Sequence, residues 1–534
     1  MLDRILSGVS DAAFQVKVLS KTGILSPMRP DKTAKVISTL VGGGTTPATA
    51  IRVAAIKHPD SVFIVDERGS LTYCDVDERT TRLAQSLRGL GIAAEDGVGI
   101  MCRNHRGFIE TNLAAAKLGA TALLLNTMFS GPQLAEVVER EGPKVLIYDE
   151  EFEGLLEGVP EQVTRVTAFS DASPKLDLES LIESGSSEDL SWPEVQSKFI
   201  ILTSGTTGTP KGAQRNSPKG LSGLAGLLDR IPHRSGETMV IAAPLFHSWG
   251  FINSVFALTL GATIVLDRRF EAEQTMRRID EHDADVLVAV PVMLQSILEL
   301  PEDVQSSFRA SNLKLTTLSG SALPGGLATA WMDRYGENVY NLYGSTEVAF
   351  VSIAIPEDLR LDAATAGRMP HGTSIRLVDE NGRDVAPGET GRIFVSNGMT
   401  FEGYTGGGTK DNLGDYISSG DVGHFDDRGL LFIDGRDDEM IVSGGENVFP
   451  GEVEELLAGH DHVVEVAVVG ITDPKFGQRL KAFVVAREGT VLSEAELKDY
   501  VKANLASFKA PKEVVFLDEL PRNATGKVLK RSLA

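Results

Sequence analysis

The sequence predicts an α/β fold: a large N-terminal domain of two doubly wound α/β subdomains plus a small β-barrel, followed by a small α+β C-terminal domain. Short apolar runs alternate with amphipathic helical stretches, first from about Gly97 and again from about Glu237, the signature of parallel sheets covered on both faces. From about Ser374 to Asp434 the apolar period falls to two, as in half-buried antiparallel strands. At 534 residues the chain also exceeds what one hydrophobic core sustains, so separate domains are expected.

Residues 1–45 read as an extension ahead of the first subdomain. The segment MLDRILSGVSDAAFQVKVLSKTGIL mixes polar with apolar residues, so it lacks the unbroken core of a secretory signal and is expected to stay in the mature protein. It suits an amphipathic helix packed onto the body; a membrane surface is the alternative seat for its apolar face and for Arg4, Lys17 and Lys21. In the first α/β layer VGIMC, ATALLLN and PKVLIYD are expected strands, with helices through Phe108 to Lys117 and from near Ser130. In the second, ETMVIAAP, ATIVLDR and DVLVAVP are separated by helical stretches such as FEAEQTMRRIDEHD. In the barrel, about residues 371–435, SIRLVDENGRDV carries the Asn381-Gly382 pair that favours a tight hairpin turn, and GRIFVS and GLLFID alternate like half-buried strands. Beyond GRDDEMIVSGGENVFP, the helix PGEVEELLAGH, strands VVEVAVVG and LKAFVVA, and helix SEAELKDYVKANL make up the small last domain.

An excess of 74 acidic over 52 basic side chains repels polyanions over most of the surface, which argues against a nucleic-acid partner and requires any phosphate site to be local. No apolar run reaches the roughly 18 to 20 residues that cross a bilayer, so a cytoplasmic protein is expected, with peripheral membrane contact left open. Cys74 and Cys102 are too few for a disulfide scaffold and lack metal-ligand spacing; two buried thiols in a reducing compartment are expected. The ending Ser532-Leu533-Ala534 is not a peroxisomal address.

The segment LTSGTTGTPKG, Leu202 to Gly212, carries the strongest chemical signal. The apolar strand KFIIL runs into hydroxyls, glycines and a lysine, so backbone N–H groups can approach a phosphate closely while Ser and Thr hydroxyls and Lys211 add donors and charge. It is not a Walker A loop, because Pro210 precedes the lysine and Gly212 follows it. A flexible surface loop is the bland alternative.

TSGTTGTPKG resembles the signature loop of the adenylate-forming superfamily, which includes acyl-CoA synthetases, luciferases and peptide-synthetase adenylation domains. SGSALP at Ser319, NLYGSTE at Asn341, SSGD at Ser418, IDGRDDEMIVSGGENVFP at Ile433 and PRNATGKVLKR at Pro521 follow in that family's order, so the similarity runs from about residue 45 to the end. The resemblance implies an AMP-binding domain over 46–437 and a mobile C-terminal domain over 438–534, with a hinge near Asp438. It implies that Thr203, Ser204, Gly205, Thr206, Thr207 and Lys211 hold the triphosphate, and that Ser321, Ala322, Asn341, Tyr343 and Gly344 line the nucleotide. Tyr343 would stack on adenine, Asn341 bond its edge, Thr346 touch the α-phosphate, and Glu347 with Thr206 hold Mg²⁺. Asp421 and Arg436 would take the ribose hydroxyls, and His247 of APLFHSWG would face the substrate carboxylate, with an aromatic neighbour such as Trp249 gating the acyl tunnel. Lys527 would swing in to bridge the carboxylate and the α-phosphate, and Gly445, Glu446 and Asn447 would lie on the coenzyme A side after domain rotation.

The activity so implied is ATP-dependent ligation of a carboxylic acid to coenzyme A through an acyl-AMP intermediate, releasing AMP and pyrophosphate, with ATP, Mg²⁺ and coenzyme A required. Val442 stands where luciferases and aryl-CoA ligases often carry lysine, which favours the fatty-acyl branch, and the opening residues and several apolar loops suggest a medium- or long-chain acid. An aryl-CoA ligase, a fatty acyl-AMP ligase donating to an acyl carrier protein, and a non-catalytic nucleotide-binding scaffold are the alternatives. The acid itself and the oligomeric state, a homodimer included, are not legible.

Overall fold

The computed structural model describes residues 2–172, 176–203, 211–215, 222–399, 401–405, 407–437, 441–443, 446–473, 477–505, 509–523 and 526–533. Two large sheets form the N-terminal part. The first runs, in spatial order, Ala349–Ala354, Val339–Ser345, Leu315–Leu318, Val286–Ala289, Thr238–Ile241, Thr263–Val265, Val62–Asp66 and Gly69–Thr72, with antiparallel strands only at its two edges. Its inner strands are parallel because each is fed by a crossover helix: Ser248–Leu260, Ala272–Glu281, Pro291–Leu298 and Gly325–Tyr335. Strands such as Val286–Ala289 and Leu315–Leu318 are buried along their whole length, as sheets covered on both faces demand.

The second sheet runs Phe401–Tyr404, Lys211–Arg215, Phe199–Thr203, Thr121–Leu124, Gly97–Met101, Val145–Asp149 and Thr164–Phe169, again parallel in its interior. The helices Arg106–Leu118 and Ser248–Leu260 help join the two sheets into one continuous core, which includes Phe108, Leu113, Phe251 and Leu258. Ser130 and Gln133 close a capping box ahead of Gly131–Glu141, where the sequence places a helix start.

A small antiparallel sheet of Ser374–Val378, Gly391–Ser396, Tyr416–Phe425, Asn412–Leu413 and Leu431–Arg436 forms the half-barrel. The Asn381-Gly382 turn forms as the sequence suggests, with Gly382 at φ +75° and antiparallel bonds between Asp379 and Arg383 and between Val385 and Leu377 across it, while Ser374–Val378 pairs along its length with Gly391–Ser396. One detail differs from the sequence-based expectation. The strand Phe401–Tyr404, within the barrel's stretch of sequence, leaves it and extends the second large sheet beside Lys211–Arg215.

The last part begins with the hairpin of Ile441–Ser443 and Glu446–Val448 and continues through Val463–Asp473, Gly477–Ala486 and the parallel strand Glu513–Phe516. Helices Pro450–Ala458 and Glu494–Asn504 cover it around Val453, Leu457, Leu497 and Val501. The fold class therefore agrees with that read from the sequence.

At the N-terminus, Leu2–Lys21 is helical, and its second half packs on the body: Val18 and Leu19 are buried against Ala225 and Leu228 of Ser222–Arg230. Asp11 ties the helix down by accepting from His371 Nε2 at 2.8 Å. Cys102 is buried as expected, but Cys74 is exposed: in the first turn of Tyr73–Gly89 it is Tyr73 that points into the core. Among the described residues no helix is long and apolar enough to cross a membrane.

Candidate active site

The carboxyl ends of four neighbouring parallel strands in the first sheet meet here, and three of them carry eight of the residues singled out by the sequence. Thr238–Ile241 leads to His247, Val286–Ala289 to Val290 and Val292, Leu315–Leu318 to Ser321 and Ala322, and Val339–Ser345 holds Asn341, Tyr343 and Gly344, with Thr346 and Glu347 just beyond. Such an edge is where open α/β sheets bind ligands, since the connecting loops diverge there and leave a crevice.

On Val339–Ser345, Asn341 is buried and its Oδ1 has no hydrogen-bond partner among the described residues. A buried carbonyl oxygen left unpaired costs about 1–3 kcal/mol, so an incoming donor such as the exocyclic amine of adenine would be favoured there. Two residues on, Tyr343 donates its hydroxyl to Asp421 Oδ2 at 2.5 Å. Burial, then the adjacent carboxylate, holds that phenol well above its usual pKa, so it remains a donor. Asp421 lies opposite Arg436 in the half-barrel ladder and accepts from its Nη1 at 3.0 Å. The carboxylate is thus pre-oriented by a phenol and a guanidinium and keeps lone pairs for sugar hydroxyls. Gly344 is required by close approach, because a Cβ there would lie 1.9 Å from the Ala349 carbonyl oxygen.

Glu347 is buried; it accepts from Ser345 Oγ at 2.9 Å on Oε2 and from Tyr404 Oη at 2.8 Å on Oε1. An oxygen-only donor set around a carboxylate suits a hard cation such as Mg²⁺, and each carboxylate oxygen retains a lone pair for the metal or its water. Lys211 Nζ stands 5.6 Å from the centre of the Tyr404 ring, at the base of the predicted phosphate loop. Thr203 and Lys211 are paired across the antiparallel strands on either side of that loop. Ser204, Gly205, Thr206 and Thr207 lie outside the described residues. Gly212 permits the tight join here: a Cβ would meet Ile200 at 2.5 Å and Thr405 Oγ1 at 2.6 Å, and its N–H donates to that hydroxyl.

His247 is the N-cap residue of Ser248–Leu260, packs on Phe246 with ring centroids 4.4 Å apart, and has a shielded Nε2 without a partner among the described residues. Burial lowers its pKa to about 4, so the ring is neutral at pH 7 and can meet a carboxylate oxygen only as an N–H donor. Trp249 is pinned by an Nε1 bond to Ala289 O at 3.1 Å, which makes it a fixed wall of the crevice.

The C-terminal part approaches this edge at Gly526. Asn523 N–H donates to Lys527 O, and Lys527 N–H donates to Asn523 Oδ1, closing a turn whose Gly526 has φ +76°; a Cβ on Gly526 would lie 2.3 Å from Val292 Cγ1. Lys527 is therefore carried on a loop seated against the first sheet's carboxyl edge, with its own side chain exposed. Arg522 Nη1 donates to Gly526 O at 2.5 Å and braces the turn. Asp438 and Gly445 lie outside the described residues; Glu446 and Asn447 are described only as backbone in the hairpin with Ile441–Ser443.

Sequence reasoning missed Tyr404, Ser345, Val292 and Lys410. A Cβ on Gly420 would lie 3.2 Å from both Lys410 Nζ and an Arg436 nitrogen, which puts a second cation beside Asp421. It also missed a buried trio, Cys102, His105 and Asp149. There His105 Nδ1 accepts from Gly107 N–H, so Nε2 donates to Asp149 Oδ1 at 2.8 Å, and Asp149 Oδ2 accepts from Arg103 N–H. Both ring nitrogens are engaged, and the trio fastens the loop after Gly97–Met101 to the end of Val145–Asp149.

The family model for AMP-binding enzymes matches residues 51–405, and that for the AMP-binding enzyme C-terminal domain matches 452–527. An indoleacetate–CoA ligase of Aromatoleum aromaticum is 33% identical over 90% of this chain and 95% of its own. A long-chain-fatty-acid–CoA ligase of Mycobacterium tuberculosis is 30% identical over 87% and 92%. The structure of o-succinylbenzoate CoA synthetase from Bacillus subtilis, in complex with its acyl-adenylate intermediate, superposes with a TM-score of 0.79 at 27% identity, covering 91% of this chain and 97% of that one.

Proposed function

The chain belongs to the AMP-binding enzyme family, and from that membership we propose that it joins a medium- or long-chain fatty acid to coenzyme A through an acyl-adenylate. The observation that carries this reading is the convergence on one sheet edge of the unpaired Asn341 Oδ1, the Tyr343–Asp421–Arg436 chain, the buried Glu347 and the loop bearing Lys527.

In the first step a carboxylate oxygen attacks the α-phosphorus of ATP, the bond to the bridging oxygen breaks, and pyrophosphate leaves toward the loop ending at Lys211. Two anions must meet, so catalysis consists of placing them and offsetting their charge. Asn341 and Tyr343 hold the base, Asp421 and Arg436 the ribose, and Thr346 the α-phosphate. Neutral His247 orients the acid by donating to it, and Lys527 spans the carboxylate and the phosphate as negative charge builds. Glu347 and Thr206 would hold Mg²⁺, which when bound supplies positive charge to the phosphates. In the second step the coenzyme A thiolate attacks the acyl carbonyl, the carbon–oxygen bond to AMP breaks, and AMP departs. A loop seated at Val292 obstructs that approach, so the small domain turns about Asp438 between steps and presents Gly445, Glu446 and Asn447 to the pantetheine arm.

A fatty acid is favoured by Val442, at a position where aryl ligases often carry lysine. The similarity to an indoleacetate–CoA ligase supports a second reading, an aromatic acid. AMP release measured over a panel of aliphatic acids of graded length, arylacetates and cinnamates, each with and without coenzyme A, decides between them. Preference for aliphatic acids with coenzyme A dependence is expected; preference for an aromatic acid establishes the second reading, and release only with an acyl carrier protein replaces coenzyme A as acceptor.

A further inference from the structure

We infer that Tyr404 is a positioning residue that fixes the rotamer of Glu347 for metal binding and couples it to the phosphate loop, an inference that rests on reading Glu347 as the magnesium carboxylate. Glu347 stands at the end of the first sheet's strand Val339–Ser345, whereas Tyr404 ends the outermost strand of the second sheet, so the 2.8 Å bond from Tyr404 Oη to Glu347 Oε1 ties two separately built sheets together at the site. Phe401–Tyr404 pairs antiparallel with Lys211–Arg215, and Tyr404 lies opposite Ala213. The next residue, Thr405, accepts the Gly212 N–H at 3.1 Å and donates to Glu141 Oε1 at 2.6 Å, which anchors that edge to the body.

The ring of Tyr404 thus has Lys211 Nζ over its face, 5.6 Å from the centroid, and Glu347 at its hydroxyl. A carboxylate on a turn after a strand has free χ angles and would sample several rotamers. Ser345 restrains Oε2 from within the same turn, which leaves the carboxylate free to move with that turn; Tyr404 restrains Oε1 from a distant element. The phenol takes one lone pair of Oε1 and directs the remaining one, so a cation meets a preset ligand. Groups that orient a metal ligand in this way typically change metal affinity about 10- to 100-fold when removed. Because Lys211 adjoins the same ring, a shift of the phosphate loop is passed to the carboxylate through one rigid side chain.

Tyr404→Phe removes only the hydroxyl and keeps the ring beneath Lys211. Binding of Mn²⁺, followed by electron paramagnetic resonance in the presence of α,β-methylene-ATP, should weaken about 10-fold or more in this variant. The maximal rate at saturating Mg²⁺ should stay near that of the wild type, and the melting temperature without metal should be unchanged. Glu347→Gln serves as the reference. If Glu347→Gln loses Mn²⁺ while Tyr404→Phe binds it normally, the role of Tyr404 is wrong and that of Glu347 stands; if Glu347→Gln binds Mn²⁺ normally, the magnesium reading itself fails. A Tyr404→Phe protein with a lowered melting temperature and equal loss at all Mg²⁺ concentrations shows a merely structural tyrosine and overturns the inference.

Discussion

Lys527 and His247 pose opposite electrostatic problems at neighbouring positions on one sheet edge. Lys527 rides on an exposed turn and is useful only as a cation, so its removal should leave the nucleotide site of Asn341, Tyr343 and Asp421 intact. Lys527→Ala is expected to keep ATP binding while acid-dependent adenylation falls at least about 10²- to 10³-fold, the usual loss when a donor to developing charge is deleted. Near-normal pyrophosphate exchange in that variant would refute the role. His247 is held neutral: burial lowers its pKa from 6.5 to about 4. Between those values the unfolded chain binds the proton and the folded chain does not, so stability is lost as pH falls from about 6.5 toward about 4 and is fully present above that window. His247→Gln should therefore flatten the fall of melting temperature over this range; an unchanged slope would show that His247 does not titrate as the structure implies.

At the scale of elements, the turn carrying Lys527 lies in close steric contact with the first sheet's edge at Gly526. Gly526 has φ +76° and leaves no room for a methyl group against Val292. Gly526→Ala adds a left-handed strain of about 1–2 kcal/mol and pushes the turn off the sheet edge. Adenylation should fall, thioester formation from preformed acyl-AMP should persist, and Val292→Ala in the same chain should restore part of the first reaction. Equal loss of both reactions would mean that the turn has no separate seat in adenylation. The parallel strands at Val98, Val145 and Val286 were legible because buried strands read as unbroken apolar runs, and the helices starting near Ser130 and Ser493 were legible as amphipathic stretches, each closed in the structure by a capping box. The strand Phe401–Tyr404 was not, because its place in the second sheet depends on Lys211–Arg215, far away in sequence. Asn341 and Glu347 were identifiable from a contiguous motif, whereas Tyr404 and Val292 matter only through contacts across sheets, which no local pattern records. Cys74 misled for a related reason: on an amphipathic helix the neighbour Tyr73 took the inward position.

On the proposed reading the whole molecule serves two reactions with one crevice, and the small domain contributes to both. The loop of Lys527 is seated against Val292, and Pro450–Ala458 packs beneath Leu431–Arg436, with a Cβ on Gly435 only 3.1 Å from Phe449. On the proposed reading that arrangement fits adenylation, and the second reaction would need rotation about Asp438. Asp438→Pro should spare acyl-AMP formation and slow thioester formation; equal slowing of both would argue against a pivot there. The net charge of −22 makes the local cations Lys211, Lys410, Arg436 and Lys527 the more important, since the rest of the surface repels a triphosphate. The central claim, that an organic acid displaces pyrophosphate from ATP at this edge, is tested most directly by isotope exchange between labelled pyrophosphate and ATP without coenzyme A. Exchange that requires both a carboxylic acid and Mg²⁺, and that is lost in Lys527→Ala, is the predicted result; exchange independent of any acid, or none with any acid that supports AMP release, would contradict it.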